Sequence, residues 1–239
     1  PTAWRTGRLD ASMVQEVHLH HPQALITQDR HGRLNLEGLL PKARPVPPQK
    51  QFRGKLYVHD GFLTFRSATS QWRGGPLVVQ LARVEGTVDM AAAPTAAVDL
   101  RAELPSLQAR RIRLQARVNP QTKLVAARIE LVDLDLPWAY RTFGNRADLT
   151  LDSGRGQVEG YVFSLPGADR PSLDFGATLR LEEVALRARA LGGRPVQASG
   201  EVWVGASGVA IRRLTARWAG SDFAVQGSVA DLKHPVLDL

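Results

Sequence analysis

Residues 111–118, Arg-Ile-Arg-Leu-Gln-Ala-Arg-Val, alternate charged or polar side chains with aliphatic ones, and segments of this kind recur along nearly the whole chain. An extended strand sends successive side chains to opposite faces. Ile112, Leu114, Ala116 and Val118 therefore line one surface, and Arg111, Arg113, Gln115 and Arg117 line the other. This pattern confines the chain to β architectures with one oily and one wetted face. We expect a mainly β protein: an elongated, curved, antiparallel, meandering sheet, either a taco-like groove or a β-solenoid-like wall, with one or two short helices.

The alternation places strands at 77–81, 84–90, 96–104, 111–118, 124–134, 147–151, 156–164, 172–189, 196–204, 209–218 and 223–229. Upstream, residues 14–20 alternate, Pro22 interrupts, and 24–27 resume in extended form before the turn chemistry of residues 28–32. Asn35 is positioned to cap a short helical turn through Leu39 and Leu40 that ends at Pro41. Residues 41–53 read as a proline-rich loop, because proline has no donor for a sheet interior. Asp60-Gly61, between the alternating runs 54–59 and 62–65, is a short hairpin signal. Residues 205–208 form a second hairpin loop. Residues 136–145 interrupt the strands with a short helix, Pro137 near its start and Gly144-Asn145 at its end. Glycine also tends to stand two residues before an apolar strand position, as in Gly54/Leu56, Gly86/Val88, Gly156/Val158, Gly200/Val202 and Gly227/Val229, at irregular spacing. We expect one continuous β-rich segment over 1–239, cut at both ends from a longer polypeptide.

Charge and composition narrow the functional classes. The formal net charge of +8 comes mostly from arginine spread along the strands. That distribution suits a solvated face or anionic lipid head groups, and lacks the concentrated basic patch of a nucleic-acid binder. The absence of cysteine excludes disulfides, thiolate metal sites and cysteine nucleophiles. No stretch reaches the roughly 18–20 uncharged apolar residues of a membrane-spanning helix. The longest candidate, 90–98, is short and broken by Pro94.

Chemistry-bearing clusters are sparse. His18 and His20 share a strand face, with His21 beside them, but no further ligands follow at a metal-site spacing. Asp133 and Asp135 share a face if their strand persists, although strand-end acids or caps for the following helix account for them more simply. There is no nucleophile elbow, phosphate-binding loop, zinc-protease motif or dinucleotide fingerprint. We therefore expect no catalytic residues, no metal, no cofactor and no enzymatic activity. Periodicity alone leaves the aliphatic face open to two readings: packed core, or a surface for acyl chains.

The block 17–36, with Leu39-Leu40, resembles the N-terminal portion of the AsmA-like superfamily, especially the TamB group of the translocation and assembly module. It has an extended strand, a proline, an apolar strand, an Asp/Gly turn and then Gly32-Arg33-Leu34-Asn35-Leu36. Residues 56–65 look like the family's following hairpin, 84–90 like the strand after it, and 209–235 like its repeated strand pair. The resemblance implies an inner-membrane-anchored periplasmic protein whose taco-shaped sheet shields phospholipid acyl chains between the inner and outer membranes. The membrane anchor would lie outside this chain, and the helix at 136–143 would sit on the groove's rim or end. The resemblance also implies an outer-membrane partner of the Omp85 type. The corresponding alternative is a scaffold for outer-membrane protein assembly that acts through β-strand interactions. The aliphatic members of the alternation supply the expected lipid-facing set: Leu56, Val58, Leu63, Phe65, Val98, Leu100, Ile112, Leu114, Val118, Ile129, Leu131, Leu173, Phe175, Leu179, Val202, Val204, Phe223 and Val225.

Overall fold

The computed structural model describes residues 13–31, 33, 35, 52–72, 75–105, 108–119, 121–122, 124–143, 148–165, 172–206, 208–230 and 236–238. The expected turn through Leu39-Leu40, the proline-rich stretch 41–50 and Gly144-Asn145 lie outside them. The strands are β1 (Glu16–His20), β2 (Gln23–Gln28), β3 (Lys55–Trp72), β4 (Gly75–Asp89), β5 (Ala96–Leu104), β6 (Ala109–Asn119) and β7 (Leu124–Asp135). After helix α1 (Leu136–Phe143) come β8 (Leu149–Leu165), β9 (Ser172–Ala188), β10 (Pro195–Gly205), β11 (Gly208–Trp218), β12 (Ser221–Ala230) and β13 (Val236–Asp238).

All of them belong to one open, curved 13-stranded sheet in which strands from β3 to β13 follow one another in chain order. Every pair along that path from β3 onward is antiparallel. β1 and β2 lie end to end along the free side of β3, both parallel to it. The exposed area of 16968 Å² far exceeds the about 10,600 Å² expected for a compact 26.1 kDa monomer. Single-layer construction contributes to the excess: a one-layer sheet leaves both faces accessible wherever nothing packs on them.

Asp60-Gly61 is a bulge inside β3 and not the hairpin turn expected from the sequence. Asp60 takes the left-handed conformation (φ 49°), Glu85 Oε1 accepts its N–H at 2.7 Å, and the strand continues to Trp72. Turns and bulges both need a residue that tolerates positive φ, so Asp-Gly signals either one. The same event joins the expected strands 77–81 and 84–90 into β4, with Arg83 at φ 50°. It also joins 147–151 and 156–164 into β8 through Gly154.

These bulges align from strand to strand. Asp60, Arg83, Asp133, Gly154 and Glu183 all have positive φ, each at a register shift between neighbouring strands. Because a bulge bends its strand and increases local twist, a line of bulges forms a seam across the sheet. Three of the charged side chains at the seam find partners. Arg83 pairs with Glu103, Asp133 Oδ1 lies 3.6 Å from Arg155 Nε, and Asp60 Oδ2 lies 3.0 Å from His21 Nδ1.

The packed core sits where the seam meets the aliphatic face. Leu104, Ala109, Leu134, Leu136 and Val184 are buried together, with Val79 and Leu81 packing from one side and Leu151, Leu181 and Leu186 from the other. β5 and β7 end at this seam, and α1 begins there. Asp135 caps the helix, its Oδ1 accepting the Trp138 N–H at 2.7 Å. The helix packs on the aliphatic face where β7 ends: Leu136 is 6% exposed, and its Cδ2 lies 2.8 Å from where a Cβ on Gly156 would stand.

Asn35 binds β2, and the helical turn expected after it lies outside the described residues. Its Nδ2 donates to the Leu25 carbonyl at 2.8 Å and its Oδ1 accepts the Thr27 N–H at 3.0 Å, so its side chain occupies the outer edge of β2. Upstream, Pro22 breaks β1 from β2 alongside the Asp60 bulge. There His21 N–H donates to the His59 carbonyl and Phe62 N–H to the Pro22 carbonyl, each at 2.8 Å.

Candidate functional site: an uncovered aliphatic face

Directly paired residues in a sheet share a face, so the register shows which side chains are brought together. One row runs Leu56, Val88, Val98, Ala116, Ala127, Val162, Phe175. The next runs Val58, Gly86, Leu100, Leu114, Ile129, Gly160, Ala177, Val204, Val209. A third runs Ala102, Ile112, Leu131, Val158, Leu179, Val202, Ile211. Val118 stands between Ala96 and Val125.

Across the seam the same face continues with Leu63 opposite Leu81 and Phe65 opposite Val79, and with Val225 opposite Leu214 and Phe223 opposite Ala216. Leu173 stands opposite Ser164. The alternation thus places its aliphatic members on a common surface that spans the sheet, and the bulges restore that registry instead of flipping it.

Burial on this face is graded. At the seam Leu104 is 1% exposed and Val184 3%, whereas Phe175 and Phe223, away from it, are 47% and 45% exposed. Between these extremes the aliphatic side chains are half-buried, sheltered by their cross-strand neighbours. No second sheet lies over them among the described residues, and α1 covers only the seam. Chemically the surface offers dispersion contacts and release of hydration water, worth roughly 25 cal/mol per Å² of apolar area removed from water.

The opposite face is polar. Asp99 accepts two hydrogen bonds from Arg113, at 2.8 and 3.2 Å, and one from Gln115 at 3.1 Å. The Arg113 hydrogen bonds hold the Asp99 carboxyl below the ordinary carboxylate range, with Gln115 adding to the effect. Two-pronged pairs recur as Arg187 with Asp152 and Arg217 with Asp222. Hollows open on this face as well, one of about 900 Å³ beside Gln197, Thr215 and Arg217 and one of about 700 Å³ beside Asp99, Arg117 and Tyr161.

The two chemistry-bearing clusters singled out in the sequence become surface structure. Asp133 and Asp135 do not act as a pair, because the bulge at Asp133 (φ 62°) turns it toward Arg155 while Asp135 caps α1. His18 and His20 share a face, as expected, and stack with residues of β3 that the sequence did not single out. His18 lies 4.5 Å from Tyr57 and His20 4.9 Å from His59, ring centre to ring centre. His18 Nδ1 is 3.1 Å from His59 Nε2.

Sequence reasoning missed Val79, Leu81, Leu134, Leu136, Val184 and Leu186, which extend the aliphatic face into the seam. Their signal is the change of alternation phase at a charged residue flanked by aliphatics, which is what a bulge does to a pattern of period two. No helix among the described residues is long and apolar enough to cross a membrane. No protein-family model, curated protein or solved structure matches this chain.

Proposed function

We propose that this chain is a lipid-shielding wall, a non-enzymatic segment that receives phospholipid acyl chains on its aliphatic face and supports their movement between inner and outer membranes. The observation that carries the reading is the absence, among the described residues, of a covering layer over an aliphatic surface running from β3 to β12. An uncovered apolar surface of this extent needs an apolar occupant. Each acyl CH₂ that it shields gains roughly 0.8 kcal/mol over exposure to water. The arginines of the opposite face remain in solvent, where they suit anionic head groups at a membrane surface. The resemblance of the opening block to AsmA-like, TamB-type proteins agrees with this reading, and with it we assign the chain to the periplasm as part of an inner-membrane-anchored protein.

The test is Leu114→Asp, which puts a carboxylate among Leu100 and Ile129. We expect lipid crosslinking and lipid transfer to be lost while the circular dichroism of the sheet is unchanged. Retained crosslinking and transfer in the folded variant would remove the aliphatic face from the mechanism.

One observation favours a second reading. β13 pairs with β12 only over Ser228–Ala230, so among the described residues the backbone edge of 221–227 carries no partner strand. A client strand, or an Omp85-type outer-membrane partner, would add there by β-augmentation, making the chain an assembly scaffold. Peptide binding at that edge in the absence of lipid supports the scaffold; lipid that co-purifies with the folded protein in native mass spectrometry supports the wall.

A further inference from the structure

On the polar face, two aromatic rings lie across a pair of glycines. Gly176 of β9 and Gly205 of β10 are direct partners. The Tyr161 ring crosses from β8 to lie over Gly176, with its Oη, Cζ and Cε1 at 2.5–2.8 Å from where a Cβ would stand. The Trp203 ring leans along β10 over Gly205, with Cη2 and Cζ2 occupying the equivalent space. Any side chain at either glycine would lift a ring, so the glycines make the bed on which the rings rest. Phe163 extends the floor, its ring 5.7 Å from Tyr161. Tyr161 remains 43% exposed, and a hollow of about 370 Å³ opens beside both rings.

Charged groups rim that hollow and are already matched among themselves. Arg128 Nη2 reaches Glu159 at 2.7 Å and Glu130 at 3.2 Å, and Glu201 is held by Arg180 at 3.3 Å and Arg212 at 3.1 Å. The hollow itself is lined by three arginines and two glutamates, and Glu130, outside the lining, pairs with Arg128, so the charges nearly cancel and offer little to a polyanion. What they offer is a dense set of fixed donors and acceptors around an aromatic floor. A wholly apolar ligand would desolvate those charges without replacing their hydrogen bonds. A pyranose ring fits both demands: its C–H face packs on the electron-rich aromatic face, and its hydroxyls both donate and accept.

We propose that the Tyr161–Trp203 floor is a binding site for neutral glycan chains, on the face opposite the aliphatic wall and independent of it. The test titrates the purified chain with cellotetraose, maltotetraose and chitotetraose, following tryptophan fluorescence and calorimetric heat. We expect saturable binding of at least one of the three, weakened by about tenfold or more in Trp203→Ala. Gly176→Val, which displaces the Tyr161 ring, should weaken it likewise. Glu201→Gln, which keeps the floor, should alter preference among the sugars. Leu114→Asp, on the far face, should bind as the parent does. Thermal unfolding followed by circular dichroism establishes that each variant is folded, and either floor variant suffices if the other is not. The proposal is overturned if none of the three sugars binds, if folded floor variants bind undiminished, or if poly(U) binds in their place with a steep salt dependence.

Discussion

Asp99 illustrates how single residues on the polar face report on the fold. Its carboxyl pKa is lowered from 3.8, first by the Arg113 hydrogen bonds, so the folded state holds the proton less tightly than the unfolded chain does. Such a group contributes stability above the ordinary aspartate range, and that contribution is lost as pH falls through the depressed folded pKa. Asp99→Asn should therefore be less stable than the parent at neutral pH, with the gap closing as pH drops from about 4 downward. Urea unfolding at pH 7, 5, 4 and 3 measures this, and a gap that widens in acid would contradict the assignment. Because the pair is still partly exposed to solvent, the effect is modest and shrinks further with added salt.

α1 packs closely on β8 at the core. A Cβ on Gly156 would lie 2.8 Å from Leu136 Cδ2, whereas one on Gly160, farther along the same strand, meets nothing closer than 3.6 Å. Gly156→Ala is expected to cost about 1–3 kcal/mol by overpacking, and Gly160→Ala to stay within about 0.5 kcal/mol of the parent. Chemical denaturation of both variants checks the difference, and equal losses would mean that Leu136 is not seated as described. The same contact shows what the sequence makes legible among the elements. The spans of β5, β6, β7, β10 and β11 follow from alternation alone, and α1 from a break in it. The continuity of β3, β4 and β8 does not, since Asp60, Arg83 and Gly154 carry conformations that serve a bulge as well as a turn. Nor does the parallel seating of β1 and β2 on β3, which depends on partners more than thirty residues away.

For the molecule as a whole, the aliphatic face is legible in the sequence away from the seam, where the bulges change the alternation phase, but its covering is not, because a core and a conduit have the same periodicity. The aromatic floor escaped sequence reasoning for a related reason: Tyr161 and Trp203 come to line one hollow only once Gly176 and Gly205 are paired across β9 and β10. In the structure each strand packs chiefly on its hydrogen-bonded neighbours, and the only element lying over the aliphatic rows among the described residues is α1 at the seam. The sheet is thus built along one direction, strand beside strand, with its aliphatic side uncovered away from the seam among the described residues. The most direct measurement places a photoreactive benzoyl-phenylalanine in turn at Leu114, Ile129 and Val204 on the aliphatic face, and at Arg113, Arg128 and Trp203 on the polar face. Each protein is then irradiated in the presence of radiolabelled phospholipid. The expected result is lipid adducts at Leu114, Ile129 and Val204 and little or none at the polar-face positions; adducts confined to the polar face, or none at any position in folded protein, would contradict a lipid-bearing wall.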